Sequence, residues 1–250
     1  MAKNIEQKRC IHCLEIPDEI TEDHVIPESW YSTHSRSNFK PRAPSCFPCN
    51  NDLGEKEKLI SHVMWMCMPE NHPLRAELTQ KVYRACGMGA NGKPLSGLDE
   101  KERRIRLMYA QKLLKSTVPA TEIDKNRMMP GFGYHANYPE NMQRATIMDY
   151  PTLILVASKV VRGLEYIQKK QNRYIENPYR LDVYFPRSPH DADLVTVRNI
   201  CPIFSDNTNT IQRGADPARP LEPIYIIRLW NQWEIWGVIM HEDRYKGLSD

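Results

Sequence analysis

Cys46-Phe47-Pro48-Cys49-Asn50-Asn51-Asp52-Leu53-Gly54-Glu55-Lys56-Glu57 is the stretch on which the reading of this chain turns. It holds two thiols on one tight turn and then passes directly into a pattern of helical spacing. A matching turn, Cys10-Ile11-His12-Cys13, precedes it. Two C-x-x-C knuckles present four soft sulfur ligands, the complement that a tetrahedral zinc ion takes. The competing readings are a pair of disulfides or idle buried thiols. Zinc is preferred because the first residues are polar with no apolar leader, and the most apolar run, Leu153 to Ala157, is too short to cross a bilayer. The expectation is a cytoplasmic, intracellular chain with no membrane partner, where thiols stay reduced. Cys67, Cys86 and Cys201 stand alone and read as small buried hydrophobes.

Working outward, Val25 and Ile26 read as a short strand that Pro27 ends, and residues 31–45 as a polar loop returning to the second knuckle. Leu59, Ile60, Val63, Met64 and Cys67 recur at helical spacing until Pro69. Helices are expected over 74–85, then from a capping box at Asp99 and Glu102 with Ile105, Met108 and Leu113 inward, and over about 152–172 with Leu153, Val156, Val160, Leu164 and Ile167 on one face. Residues 119–151 read as irregular. Strands are expected over 181–185, 195–204, 224–230 and 233–240, the last two forming a hairpin, with a long loop over 205–223. The fold class is therefore α+β. A small zinc-stapled unit spans residues 1–68, followed by 69–250, helical over 74–172 and β-rich over 180–241.

The 250 residues are enough to bury a core without covalent staples, and a hydrophobic content of 41% is that of an ordinary globular chain. With 34 basic and 31 acidic side chains the net charge is only +3, which excludes a histone-like, tail-driven binder of nucleic acid. The charge is uneven, however. Residues 1–58 hold 8 basic and 10 acidic side chains, whereas 74–116 hold 10 basic and 4 acidic. Arg103, Arg104, Arg106, Lys112 and Lys115 either solvate a helix face or track phosphates.

Between the knuckles lies Asp23-His24. Asp23 offers a hard carboxylate oxygen suited to magnesium or manganese. On a strand, adjacent His24 points to the opposite side, where it can address a water. Asn50 offers an amide oxygen from the first turn of the helix. This order of C-x-x-C, Asp-His, C-x-x-C and Asn-Asn resembles the HNH, or ββα-metal, endonucleases, in particular four-cysteine members of the phage recombination endonuclease VII type. The resemblance covers about residues 8–58. It implies a DNA endonuclease in which Asp23 and Asn50 hold one Mg2+ or Mn2+ ion, His24 is the general base, and Cys10, Cys13, Cys46 and Cys49 hold structural zinc. It also implies 5′-phosphate and 3′-hydroxyl products. The run from Pro44 to Glu57 further looks like the C-x-x-C-Asn-Asn segment of many bacterial and phage HNH proteins, with Asp52 on an often acidic position and Glu57 on a recurring glutamate. Either is an additional candidate at the metal or substrate, and Asn51 competes with Asn50 for the metal.

The runner-up is a zinc-dependent nucleic-acid-binding or adaptor protein without catalysis; RNA is a further candidate substrate. Residues beyond 60 are left to choose the substrate through the basic helices, or a partner, including a second copy in a homodimer, through the β-rich end. The histidines other than His24 read as surface or internally satisfied groups. Trp230, Trp233 and Trp236 read as core in preference to a base-stacking platform.

Overall fold

A computed structural model describes residues 8–31, 40–68, 71–119, 121, 144–147, 149–168, 173–184, 202–205, 209–230 and 233–245. Strands β1 (Ile20–His24) and β2 (Arg42–Cys46) pair antiparallel, with Ile20 opposite Cys46 and His24 opposite Arg42. Helix α1 (Phe47–Cys67) follows β2 without an intervening residue. Pro48 is at home there, since the first N–H groups of a helix have no acceptor within it. The strand expected at Val25 and Ile26 lies earlier, over β1. Both residues are buried just past its end, where Val25 N–H bonds to the Pro41 carbonyl at 2.9 Å. Their apolar character serves packing there and does not mark an alternating strand.

The chain divides into two compact units. One comprises Met1–Glu57 with Pro151–Asp250, the other Lys58–Tyr150. This differs from a cut at residue 68, because the long helix α4 (Tyr150–Gln168) and the C-terminal sheet pack with the N-terminal hairpin. Helix α4 buries Leu153, Val156, Ala157, Val160, Val161 and Leu164. Its Gly163 lies so close to Val25 that an added Cβ would sit 2.7 Å from both valine methyls. Trp230 donates its indole N–H to the Trp30 carbonyl at 2.9 Å, and Arg9 pairs with Glu176 at 2.8 Å.

The sheet of this unit has the order β5-β9-β8-β7-β6, all neighbours antiparallel: β5 (Tyr179–Tyr184), β6 (Pro202–Ser205), β7 (Thr210–Gly214), β8 (Ile224–Leu229) and β9 (Trp233–His241). A short helix, α5 (Glu242–Tyr245), follows. The α+β class and the β-rich C-terminal region agree with expectation. Strand β7 corrects the loop expected over 205–223. It carries a single large apolar residue, Ile211, which is fully buried, and its pairing with β8 supplies what its own pattern lacks. Trp230 and Trp236 are core residues. Much of the expected 195–204 strand, together with Cys201, lies outside the described residues.

In the other unit, the end of α1, α2 (Arg75–Ala85) and α3 (Glu100–Lys115) share a small core of Val63, Val82 and Leu113, with Cys86 half-buried against it. Asp99 caps α3, accepting from Glu102 N–H at 2.7 Å. A two-stranded pair, β3 (Thr117–Pro119) and β4 (Arg144–Thr146), completes what is described. Ile105 and Met108 were expected inward and are instead 57% and 60% exposed. Only Leu113 faces that core, because one small cluster cannot cover a whole apolar stripe of α3.

Candidate functional site

The four knuckle cysteines come together. Their sulfurs all lie within 4.8 Å of one another, and Cys13 and Cys46 are 3.8 Å apart. Tetrahedral zinc with Zn–S bonds of about 2.3 Å requires sulfur separations of about 3.8 Å, so the donor set fits. All four are free thiols. Local backbone accounts for the gathering. Leu14 N–H bonds to the Cys10 carbonyl and Leu14 adopts a left-handed φ of 66°, closing the first turn. Ile11 N–H bonds to the Pro44 carbonyl at 3.0 Å and docks that turn on β2. Cys46 ends β2 and Cys49 lies in the first turn of α1, so the second knuckle is the strand-to-helix junction. Burial raises the Cys10 thiol, but backbone N–H groups at Cys13, Cys46 and His12 outweigh it and bring it to about 7. Burial and the neighbouring sulfurs push Cys49 up. A cluster that favours one thiolate and resists more is one that a cation completes.

On β1, Thr21 and Asp23 are two residues apart and share a face. Asn50 donates from Nδ2 to Thr21 Oγ1 at 3.1 Å, leaving its amide oxygen available. Asp23 is engaged elsewhere. The ammonium of Lys159 on α4 lies 2.8 Å from both of its oxygens, and also contacts Glu57, seven residues along α1 from Asn50. Lys159 is only 2% exposed. His12 Nε2 stands 3.8 Å from Asp23 Oδ2, too far for a hydrogen bond. Both atoms are buried, and the His12 nitrogen has no hydrogen-bond partner among the described residues. No hydrogen bond joins Asp23 to Asn50 among those residues. Asn51 and Asp52 are exposed, and Asp52 pairs with Lys56 one turn on.

Burial works against the Asp23 carboxylate, yet His12 and Lys159 more than compensate and hold its pKa below the ordinary value. Glu57 goes the other way: burial pushes it up to about 7 despite Lys159. Burial lowers His12, Lys159 and Arg162 add to that effect, and Asp23 opposes it. His24, on the opposite face of β1, is half-buried, with its Nδ1 enclosed and without a partner among the described residues. Burial, with Arg42 and Lys159, lowers its pKa against the pull of Glu28 and Asp23, so the ring is neutral at pH 7.

Sequence reasoning missed His12 and Lys159. The signal for Lys159 was the helix around it: α4 is apolar over most of its circumference, so a charge within it has no solvated side to occupy. The same holds for Glu165, which is fully buried between Arg173 at 2.6 Å, Arg213 at 3.3 Å and the hydroxyl of Tyr225. His62 is internally satisfied, as expected, through Tyr109 Oη at 2.7 Å.

On α3, Arg103, Arg104, Lys112 and Lys115 are exposed, while Arg106 is half-buried and donates to the Arg84 carbonyl. At 100° per residue, Arg104, Lys112 and Lys115 fall within about 80° of one another, whereas Arg103 and Arg106 point elsewhere. No described helix is long and apolar enough to cross a membrane. No protein-family model matches the chain, nor does any curated protein or solved structure with which it was compared.

Proposed function

We propose that this chain is a metal-dependent endonuclease that hydrolyses DNA phosphodiester bonds, with His24 as general base. The observation that carries the reading is the β1-β2-α1 unit, in which a cysteine tetrad straddles the strand-to-helix junction beside Asp23, His24 and Asn50. Asp23 and Asn50 would hold the divalent ion. The fit rests on the chemistry of the donors: a buried Asp23 carboxylate that already holds a cation, the Lys159 ammonium, and an Asn50 amide whose oxygen has no hydrogen bond among the described residues. When bound, such an ion neutralises charge on the phosphate and the leaving oxygen.

The remaining chemistry belongs to the chain itself. His24, held neutral by burial, takes a proton from the water that attacks phosphorus, and its position opposite Asp23 on β1 separates base from carboxylate. The zinc tetrad is structural: it fixes strand to helix in a unit with little core of its own. The exposed cations Arg104, Lys112 and Lys115 supply phosphate contacts.

A second reading is favoured by one observation, the Lys159 ammonium on Asp23. Under it the chain is a zinc-stabilised nucleic-acid-binding or adaptor protein without catalysis. Supercoiled plasmid incubated with the protein and Mg2+ or Mn2+, beside a metal-free control and an RNA substrate, separates the two. Metal-dependent nicking of DNA supports the nuclease, cleavage confined to RNA changes its substrate, and no cleavage with any metal favours the adaptor.

A further inference from the structure

Among the described residues of the N-terminal unit, three largely buried charged side chains converge: Asp23 from β1, Glu57 from α1 and Lys159 from α4. An ammonium between two carboxylates has the electrostatics of a cation seat, and the lysine is its built-in occupant. A second, independent feature points into the same place. His12 Nε2 faces Asp23 Oδ2 at 3.8 Å; both side chains are only 9% exposed, and the ring nitrogen has no hydrogen-bond partner among the described residues. A ring nitrogen enclosed without a donor or acceptor is costly unless something comes to it.

We infer that Glu57 and His12 add to Asp23 and Asn50 as ligands of the divalent ion proposed above, and that Lys159 occupies this seat until metal arrives, so that metal enters only as the Lys159 ammonium leaves. Charge arithmetic favours exchange over addition. With both carboxylates ionised, they and one ammonium sum to −1; adding a divalent ion beside the lysine would leave +1 buried, close to the guanidinium of Arg162, whereas replacing the lysine leaves zero. Distance agrees with competition. The ammonium holds Asp23 oxygens at 2.8 Å, while magnesium takes oxygen at about 2.1 Å, so the ion draws the same donors inward and leaves no room for the lysine. The departing side chain has four methylenes with which to reach solvent. Because His12 belongs to the first cysteine knuckle, the zinc tetrad also positions this seat.

The inference rests on the metal-dependent reading of Asp23, and the test keeps the two apart. Mn2+ binding to the zinc-loaded full chain is followed by loss of the free-ion electron paramagnetic resonance signal, in wild type and Lys159→Met. The expected result is at least ten-fold tighter binding in Lys159→Met. Equal or weaker binding in the variant overturns the competition while leaving the metal site intact. Binding by neither protein overturns both. Should Lys159→Met not fold even with Mn2+ present, the wild type decides through amine labelling mapped by mass spectrometry. Lys159 should label at least ten-fold faster at saturating Mn2+ than without it; an unchanged rate with the ion bound overturns the inference.

Discussion

Gly163→Ala asks whether α4 truly lies on the N-terminal hairpin. In an exposed helix this change stabilises by about 1 kcal/mol, because alanine is the better helix former. Here the new methyl carbon would stand 2.7 Å from both γ carbons of Val25 and 3.0 Å from its Cβ, well inside normal carbon contact of about 3.5–4.0 Å. Val25 is fully enclosed and Gly163 sits mid-helix, so neither side relaxes cheaply. Overpacking of this kind costs about 1–3 kcal/mol, which cancels or outweighs the propensity gain and gives a net loss of up to about 2 kcal/mol. Urea unfolding of the zinc-loaded chain measures it, and adding Val25→Ala should recover part of the loss by opening the space. A stabilised Gly163→Ala would refute the packing, and with it the placement of Lys159 beside Asp23.

Two further outcomes follow from the same geometry. Elemental analysis of protein purified without chelator should find one zinc per chain, and Cys46→Ser should lose it together with several kcal/mol of stability, because the tetrad binds strand to helix; full stability without zinc would contradict the staple. Glu57 has a folded-state pKa of about 7 against 4.5 unfolded, so its contribution to stability is complete below pH 4.5 and is lost as pH rises to 7, about 3 kcal/mol in all. Glu57→Gln should flatten that fall in a pH series of unfolding curves, and an unchanged slope would show that folding does not raise the Glu57 pKa.

What the sequence disclosed follows the range of the interactions concerned. The cysteine tetrad, the Asp99 cap, the α4 stripe and the β8–β9 hairpin depend on residues a few positions apart or on a spacing that chemistry restricts. Strand β7 was hidden because its one buried side chain, Ile211, acquires meaning only from β8 beside it. Ile105 and Met108 followed a helical period that no core claims. Lys159 was the costliest omission: its partners lie 102 and 136 residues away, and only the packing of α4 on the hairpin brings them to it. The surroundings of Asp23 and His24 reach beyond their own strand: His12 and Lys159 act on Asp23, and Glu28, Arg42 and Lys159 act on His24.

The catalytic claim is tested most directly by the rate of plasmid nicking at saturating Mg2+ or Mn2+ for wild type against His24→Ala, with zinc content and unfolding curves confirming that the variant is folded. If His24 is the base, the variant loses about 10²–10⁴-fold in rate, and the wild-type rate falls on the acidic side of a pKa below 6.5. Equal rates in the two proteins, at a pH where the wild type is fully active, would contradict that role.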